Sequence, residues 1–179
     1  MKLSRADLEA DSWAFALDIY ARPGVADACL TLQNEAGVDV MILLMVTYAA
    51  VRHRILLTPA ETGKLDEACR PWREQIVRPL RTIRSALKAG PSPAPSSETE
   101  QFRSKVMTIE LAAERLENRL LAECLPLKPP AKDAVSPKEL RSILEDVVTL
   151  FLERHGEKPL ADLVSSINLI VGAALQSAA

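Results

Sequence analysis

The chain has 179 residues, 48% of them apolar and only 4% aromatic, with a formal net charge of −2. That length supports one domain with a proper core and excludes two large ones, and the near-balanced charge argues against a protein that binds nucleic acid by attraction to phosphates. Just six glycines, together with abundant leucine, alanine, glutamate and arginine, point to helix, and no stretch alternates convincingly with the period of two that a half-buried strand requires.

The first helix is expected from about Asp7 to Ala21. Trp13, Ala16, Leu17 and Tyr20 form one stripe at helical spacing, and Leu8, Phe15 and Ile19 form a second beside it. Arg22-Pro23 breaks this helix, and Pro23 opens a second that buries Val25, Ala28, Cys29 and Leu32 and stops at Gly37. Asp39 to His53 then reads DVMILLMVTYAAVRH, apolar from 40 to 51 apart from Thr47. A helix apolar on every side must be surrounded, so this third helix is the expected central rod, with Asp39 as its N-cap. Twelve residues rise only about 18 Å, too short for a hydrocarbon core of about 30 Å, so no membrane span is expected.

A looser connection containing Pro59 and Gly63 follows, with a short helical piece near Lys64 to Cys69. Pro71 is expected to open a fourth helix, 71–88, with Trp72, Ile76, Leu80, Ile83 and Leu87 as its buried stripe and a kink at Pro79. Arg70, Arg73, Arg81, Arg84 and Lys88 fall on an adjoining basic ridge. The segment from Arg52 to Lys88 has nine Lys/Arg against four Asp/Glu, so the rest of the chain is correspondingly acidic.

Residues 89–97, AGPSPAPSS, form an extended solvent-exposed crossover. Ser97 and Glu100 are the expected capping box of a fifth helix, whose seam is Phe102, Val106, Ile109, Ala113, Leu116 and Leu120. After a second Pro-rich break, Ser136 and Glu139 cap a sixth helix that buries Leu140, Leu144, Val147 and Phe151 and stops at Gly156. A seventh begins at Pro159 and buries Leu160, Leu163, Val164, Ile167, Val171 and Leu175. The expected fold is therefore all-α: a single bundle of about seven helices around the apolar helix 39–53. Residues 1–124 make the bundle, and 136–177 form a C-terminal hairpin that docks on it or stands apart.

No catalytic constellation emerges. His53 and His155 each lie near a helix end, where an imidazole meets the last carbonyls, and neither follows a glutamate by three residues as in di-iron bundles. Glu110, Glu114 and Glu117 share a face, read as solvated or salt-bridged rather than metal-binding. Cys29, Cys69 and Cys124 contain no Cys-x-x-Cys pair and read as reduced thiols in or near the core of a cytosolic protein, an expectation that the absence of an apolar leader at the N-terminus supports. There is no nucleophile elbow and no phosphate-cradling glycine loop, and nothing implies a cofactor or a metal.

Trp13, Phe15-Ala16-Leu17, Tyr20, Pro23-Gly24-Val25, Cys29-Leu30, Leu32-Gln33, Gly37, Asp39-Val40 and Leu43-Leu44, followed by Trp72, Val77, Pro79-Leu80-Arg81 and Arg84, resemble a small uncharacterised proteobacterial family of all-helical proteins, a domain of unknown function. The resemblance spans about Trp13 to Leu121. In that family an asparagine often follows the Asp-Val pair and a tryptophan often sits late in the third helix; here those places hold Met41 and Tyr48. The resemblance implies a cytoplasmic bacterial helical protein and supplies no activity.

Two functions are compatible with this pattern. One is a non-enzymatic interaction module that docks an acidic protein partner, or a second copy of itself, through Arg73, Arg81, Arg84 and Lys88. Against it stands internal use of the ridge, with Glu110, Glu114 and Glu117 meeting Arg73, Arg84 and Lys88 across the seam. The other is a carrier or enzyme that holds a small apolar molecule between the first, third and fourth helices, with Trp13, Tyr20, Gln33 and Trp72 lining the pocket.

Overall fold

The computed structural model describes residues 4–130, 134–155 and 159–177. These fold into α1 (Arg5–Tyr20), α2 (Val25–Ala36), α3 (Val40–His53), α4 (Pro59–Trp72), a π-helical turn (Arg73–Val77), α5 (Arg78–Ala89), α6 (Ser97–Cys124), α7 (Pro137–His155) and α8 (Val164–Gln176), the last entered through a 3₁₀ turn at Leu160–Leu163. The described residues contain no strand.

The central rod is α3. Ten consecutive residues, Met41 to Ala50, are buried on every side, so burial of apolar area holds this helix from all directions. Its start is fixed as the sequence predicts: the Asp39 carboxylate accepts from the backbone N–H groups of Met41 (2.8 Å) and Ile42 (3.2 Å). Gly37, at φ 66°, ends α2 in the left-handed conformation that a side chain disfavours. Around the rod lie α1, α4, α6, α7 and α8. The C-terminal pair packs on the body: α7 meets α2, α3 and α4, α8 meets α2, and Leu144, Phe151, Ile167 and Ile170 belong to the same apolar cluster as α3. At the other end Arg5 donates to the carbonyls of Ala122 (2.7 Å) and Leu125 (2.9 Å), so α1 caps the exit of α6.

The stretch after His53 differs from expectation. The helix begins at Pro59, because Thr58 and Glu61 form a complete capping box, and it runs through Pro71 instead of starting there. Pro71 lies inside α4 and forfeits one bond of the ladder, whereas Pro79 follows a change of register: over 73–77 the turn widens, and the Arg78 N–H donates to the Arg73 carbonyl five residues back. Pro79 then falls in the first turn of α5, where the hydrogen bond it cannot make is already disrupted. The fifth expected helix is also shifted. Its capping box uses Ser96 and Thr99, not Ser97 and Glu100.

The expected seams move as well. On α6, Val106 and Ala113 are buried, but Phe102, Ile109 and Leu116 are about half exposed, and the inward face is completed by Glu110, Glu117, Asn118 and Leu121. On the π turn and α5, the buried residues are Arg73 and Val77, while Ile76 and Ile83 are exposed. The physical reason is that α5 packs mainly against α6, without a third layer, so a two-helix arm leaves its apolar seam half open. The expected stop at Gly156 lies outside the described residues.

Gly24 begins α2 at φ 78°, and a Cβ there would meet Leu169 Cδ1 of α8 at 3.0 Å. Gly24→Ala should therefore lower the unfolding free energy by about 1–2 kcal/mol, read from the urea midpoint at unchanged slope.

Candidate functional site

The α5–α6 arm leans off the body and leaves a cavity of about 720 Å³ beneath it. One wall is α1, through Trp13, Leu17 and Tyr20; the end of α2 brings Gln33, and the head of α3 brings Asp39, Met41 and Leu44. The π turn and α5 contribute Arg73, Val77 and Arg81, and α6 contributes Met107, Glu110, Glu114 and Glu117. The stripe that sequence places on α1 is thus a cavity wall: Leu17 is 48% and Tyr20 39% exposed, whereas the neighbouring stripe of Leu8, Phe15 and Ile19 is buried. Of the residues expected to line a pocket, Trp13, Tyr20 and Gln33 meet here. Trp72 does not; it lies on the seam between the two long rods, and its indole Nε1 donates to the Ala113 carbonyl at 3.0 Å.

The basic ridge divides. Arg73 is buried, donating from Nη1 to Asp39 and from Nη2 to Asp66, both at 2.7 Å, with its guanidinium 5.5 Å from the Phe151 ring centre. Arg81 pairs with Glu110 (3.3 Å) and Glu114 (2.9 Å), and Arg84 pairs with Glu110. Lys88 is exposed near the end of α5 and does not reach the cavity. The internal pairing therefore involves Arg81 and Arg84, whereas Arg73 goes to aspartates on α3 and α4. An arginine fork is suited to this role, since one planar group serves two carboxylates at once.

Asp66 has no exposed side-chain surface and accepts from Arg70, Arg73 and Arg154. Burial alone would raise its carboxyl, but hydrogen bonds from Arg70 and Arg154 and the nearby Arg73 charge bring it below the usual carboxylate range. Its stabilising contribution is present above the ordinary aspartate pKa of about 4 and is lost as pH falls through the depressed folded value.

Glu117 is the exception. It is 1% exposed and its Oε1 is buried with no donor in reach. Burial pushes this carboxyl far above the glutamate range, and the negative charge of Asp39 adds to the shift, so at neutral pH it holds a proton. That proton makes the contact with Asp39 a hydrogen bond rather than a repulsion. Burial and Glu110 also raise Glu114, partly offset by Arg81.

The remaining candidates lie elsewhere. His53 does not cap carbonyls with its Nε2: that atom is 2.8 Å from the Tyr48 hydroxyl, which donates to Asp11 at 2.7 Å, and desolvation lowers the imidazole pKa. The side chain of His155 lies outside the described residues. Cys29 and Cys69 are buried and Cys124 is exposed; burial pushes the Cys29 thiol up to about 12, far from a reactive thiolate. Among the described residues no group of three or more His, Cys, Asp or Glu is arranged to hold a metal ion, and no helix is long and apolar enough to cross a membrane.

Comparison with known proteins gives one result. Residues 11–121 match the family described as "Protein of unknown function (DUF2390)". No curated protein matches, and no solved structure matches.

Two outcomes test this arrangement. Arg73→Met strands two buried carboxylates and should cost about 3–5 kcal/mol of stability by urea unfolding, with Arg73→Lys unable to restore it because an ammonium cannot bridge both partners. Glu117 keeps in the folded state a proton that the unfolded chain releases above about pH 5. Stability should therefore fall with rising pH from there through neutrality, by up to about 1.4 kcal/mol per pH unit, and Glu117→Gln should flatten that fall and be the more stable protein at pH 8.

Proposed function

The chain belongs to the DUF2390 family, whose description carries no activity, and from that premise we propose that this protein holds a small, largely apolar ligand in the cavity beneath the α5–α6 arm. The observation that carries the reading is the cavity itself. Its volume of about 720 Å³ falls in the range of small-molecule sites, and it combines apolar walls with a few polar groups at its base, the usual composition of such a site. Trp13 and Tyr20 offer flat apolar surface with polar edges, and Met41 and Met107 offer side chains that adapt to an irregular guest. The fully buried thiols of Cys29 and Cys69, free of disulfides, support a reducing, cytoplasmic setting.

A protein partner or self-association is the second reading, and one observation favours it: Ile83, Phe102, Ile109 and Leu116 are all more than 45% exposed on the arm. The basic flank adds less to that reading than its charge suggests, because Arg73, Arg81 and Arg84 already face carboxylates of the same chain.

The neutral dye Nile red provides the test of ligand binding. Saturable one-to-one binding is expected, accompanied by a change in Trp13 emission in a Trp72→Phe background. Leu17→Trp and Met107→Trp, which add bulk at half-exposed points of the wall, should each weaken binding at least tenfold without lowering the unfolding midpoint. Dye binding that both substitutions leave unchanged would place the dye elsewhere and overturn the reading.

A further inference from the structure

We infer that the ligand is an amphiphilic amine: an apolar body ending in a primary ammonium group, for which the buried carboxyl of Glu117 is the counter-ion. This rests on the cavity being a ligand site and specifies what enters it.

The cations around the cavity are already engaged: Arg73 by Asp39 and Asp66, Arg78 by Glu74, Arg81 by Glu110 and Glu114, and Arg84 by Glu110. An anionic guest would meet a carboxylate already beside each of these cations. What remains unsatisfied is an acceptor, Oε1 of Glu117, 99% buried at the cavity wall with no donor near it. A buried polar atom without a partner carries a desolvation penalty that an incoming N–H removes. The rest of the wall suits the remainder of such a molecule, since Leu44, Val77 and Leu111 are aliphatic and Trp13 and Tyr20 are aromatic faces of the kind that attract ammonium groups.

The charged and titratable groups facing Glu117 are Asp39 at the head of α3, Arg73 on the π turn, Cys69 on α4 and Glu114 one turn earlier on α6; α1 brings Trp13 and Tyr20 to the cavity. Asp39 is tied to Arg73 and to two backbone N–H groups, which leaves the exchangeable proton on Glu117. Binding then balances simply. The ammonium enters with its charge, the Glu117 O–H bond and its hydrogen bond to Asp39 break, the proton leaves to solvent, and the ammonium replaces it as the cation that offsets the Glu117 and Asp39 charges. No oxidant, reductant or second substrate is needed.

Calorimetry with octylamine, 1-octanol and octanoate on the full chain, each below its micelle concentration, is the experiment. Octylamine should bind at least tenfold tighter than either of the others at pH 7.5, with close to one proton released as read from the dependence of the heat on buffer. Its affinity should rise up to tenfold per pH unit between about pH 6 and 9. Glu117→Gln, which retains the shape and removes the ionisable oxygen, should bring amine and alcohol within about threefold of each other and abolish proton release. Equal binding of amine and alcohol, preference for octanoate, or amine binding without proton release would overturn the assignment while leaving an apolar-ligand site standing. Failure of all three probes together with Nile red would overturn both.

Discussion

The fold depends on one buried guanidinium. Arg73 bonds Asp39, which caps the central helix, and Asp66, which lies inside α4, so a single side chain fixes where the apolar rod starts relative to the long rod that flanks it. Taking three charges out of water costs several kcal/mol per ion, and only short hydrogen bonds in good geometry offset this. Here the two outer nitrogens of the fork serve one aspartate each, Asp66 also takes Arg70 and Arg154, and Asp39 spends its other oxygen on the first turn of α3. A cluster so thoroughly satisfied specifies one arrangement of the helices, because any other leaves charge stranded in an apolar interior.

That anchor also explains why a cavity exists. Arg73 pulls the π turn onto α3, and Trp72 holds α6 through the Ala113 carbonyl, but beyond Val77 the chain leaves the core: α5 has no buried residue. Between α5 and the Trp13–Tyr20 stripe of α1 the hollow is lined by apolar side chains such as Met107 and Leu111 and by polar groups from α5 and α6. Arg81, Arg84, Glu110 and Glu114 hold each other there, and Glu117 at the base is the member without a cation of its own.

The sequence was most legible where apolar residues alone decide the outcome. The rod from Asp39 and its cap, the Leu140–Phe151 face and the two stripes of α1 all follow from spacing; Trp13 and Tyr20 share one stripe of α1, whereas no spacing singles out Gln33 on α2. The inward face of α6 was not legible, since a search for apolar periodicity passes over Glu110, Glu117 and Asn118 and selects Phe102, Ile109 and Leu116 one position away. Arg73 looked like one more cation on a ridge. The available signal was its place seven residues after Asp66 and three after Arg70, which sets all three on one face of a helix with no apolar residue among them. The start of α4 was hidden because Pro71 resembles an opening, and only the Thr58–Glu61 pair reveals the true one.

The widened turn at Arg73–Val77 has a geometric consequence beyond accommodating Pro79. A π turn holds one more residue than the α turn it replaces, so everything after it is rotated by about 100° about the rod axis relative to an uninterrupted helix. Without that extra residue, Arg81 and Arg84 would swing away from α6, and Glu110 and Glu114 would confront the hollow with no cation beside them. A single inserted amino acid, placed where the rod leaves the core, thus sets the polarity of the site's ceiling.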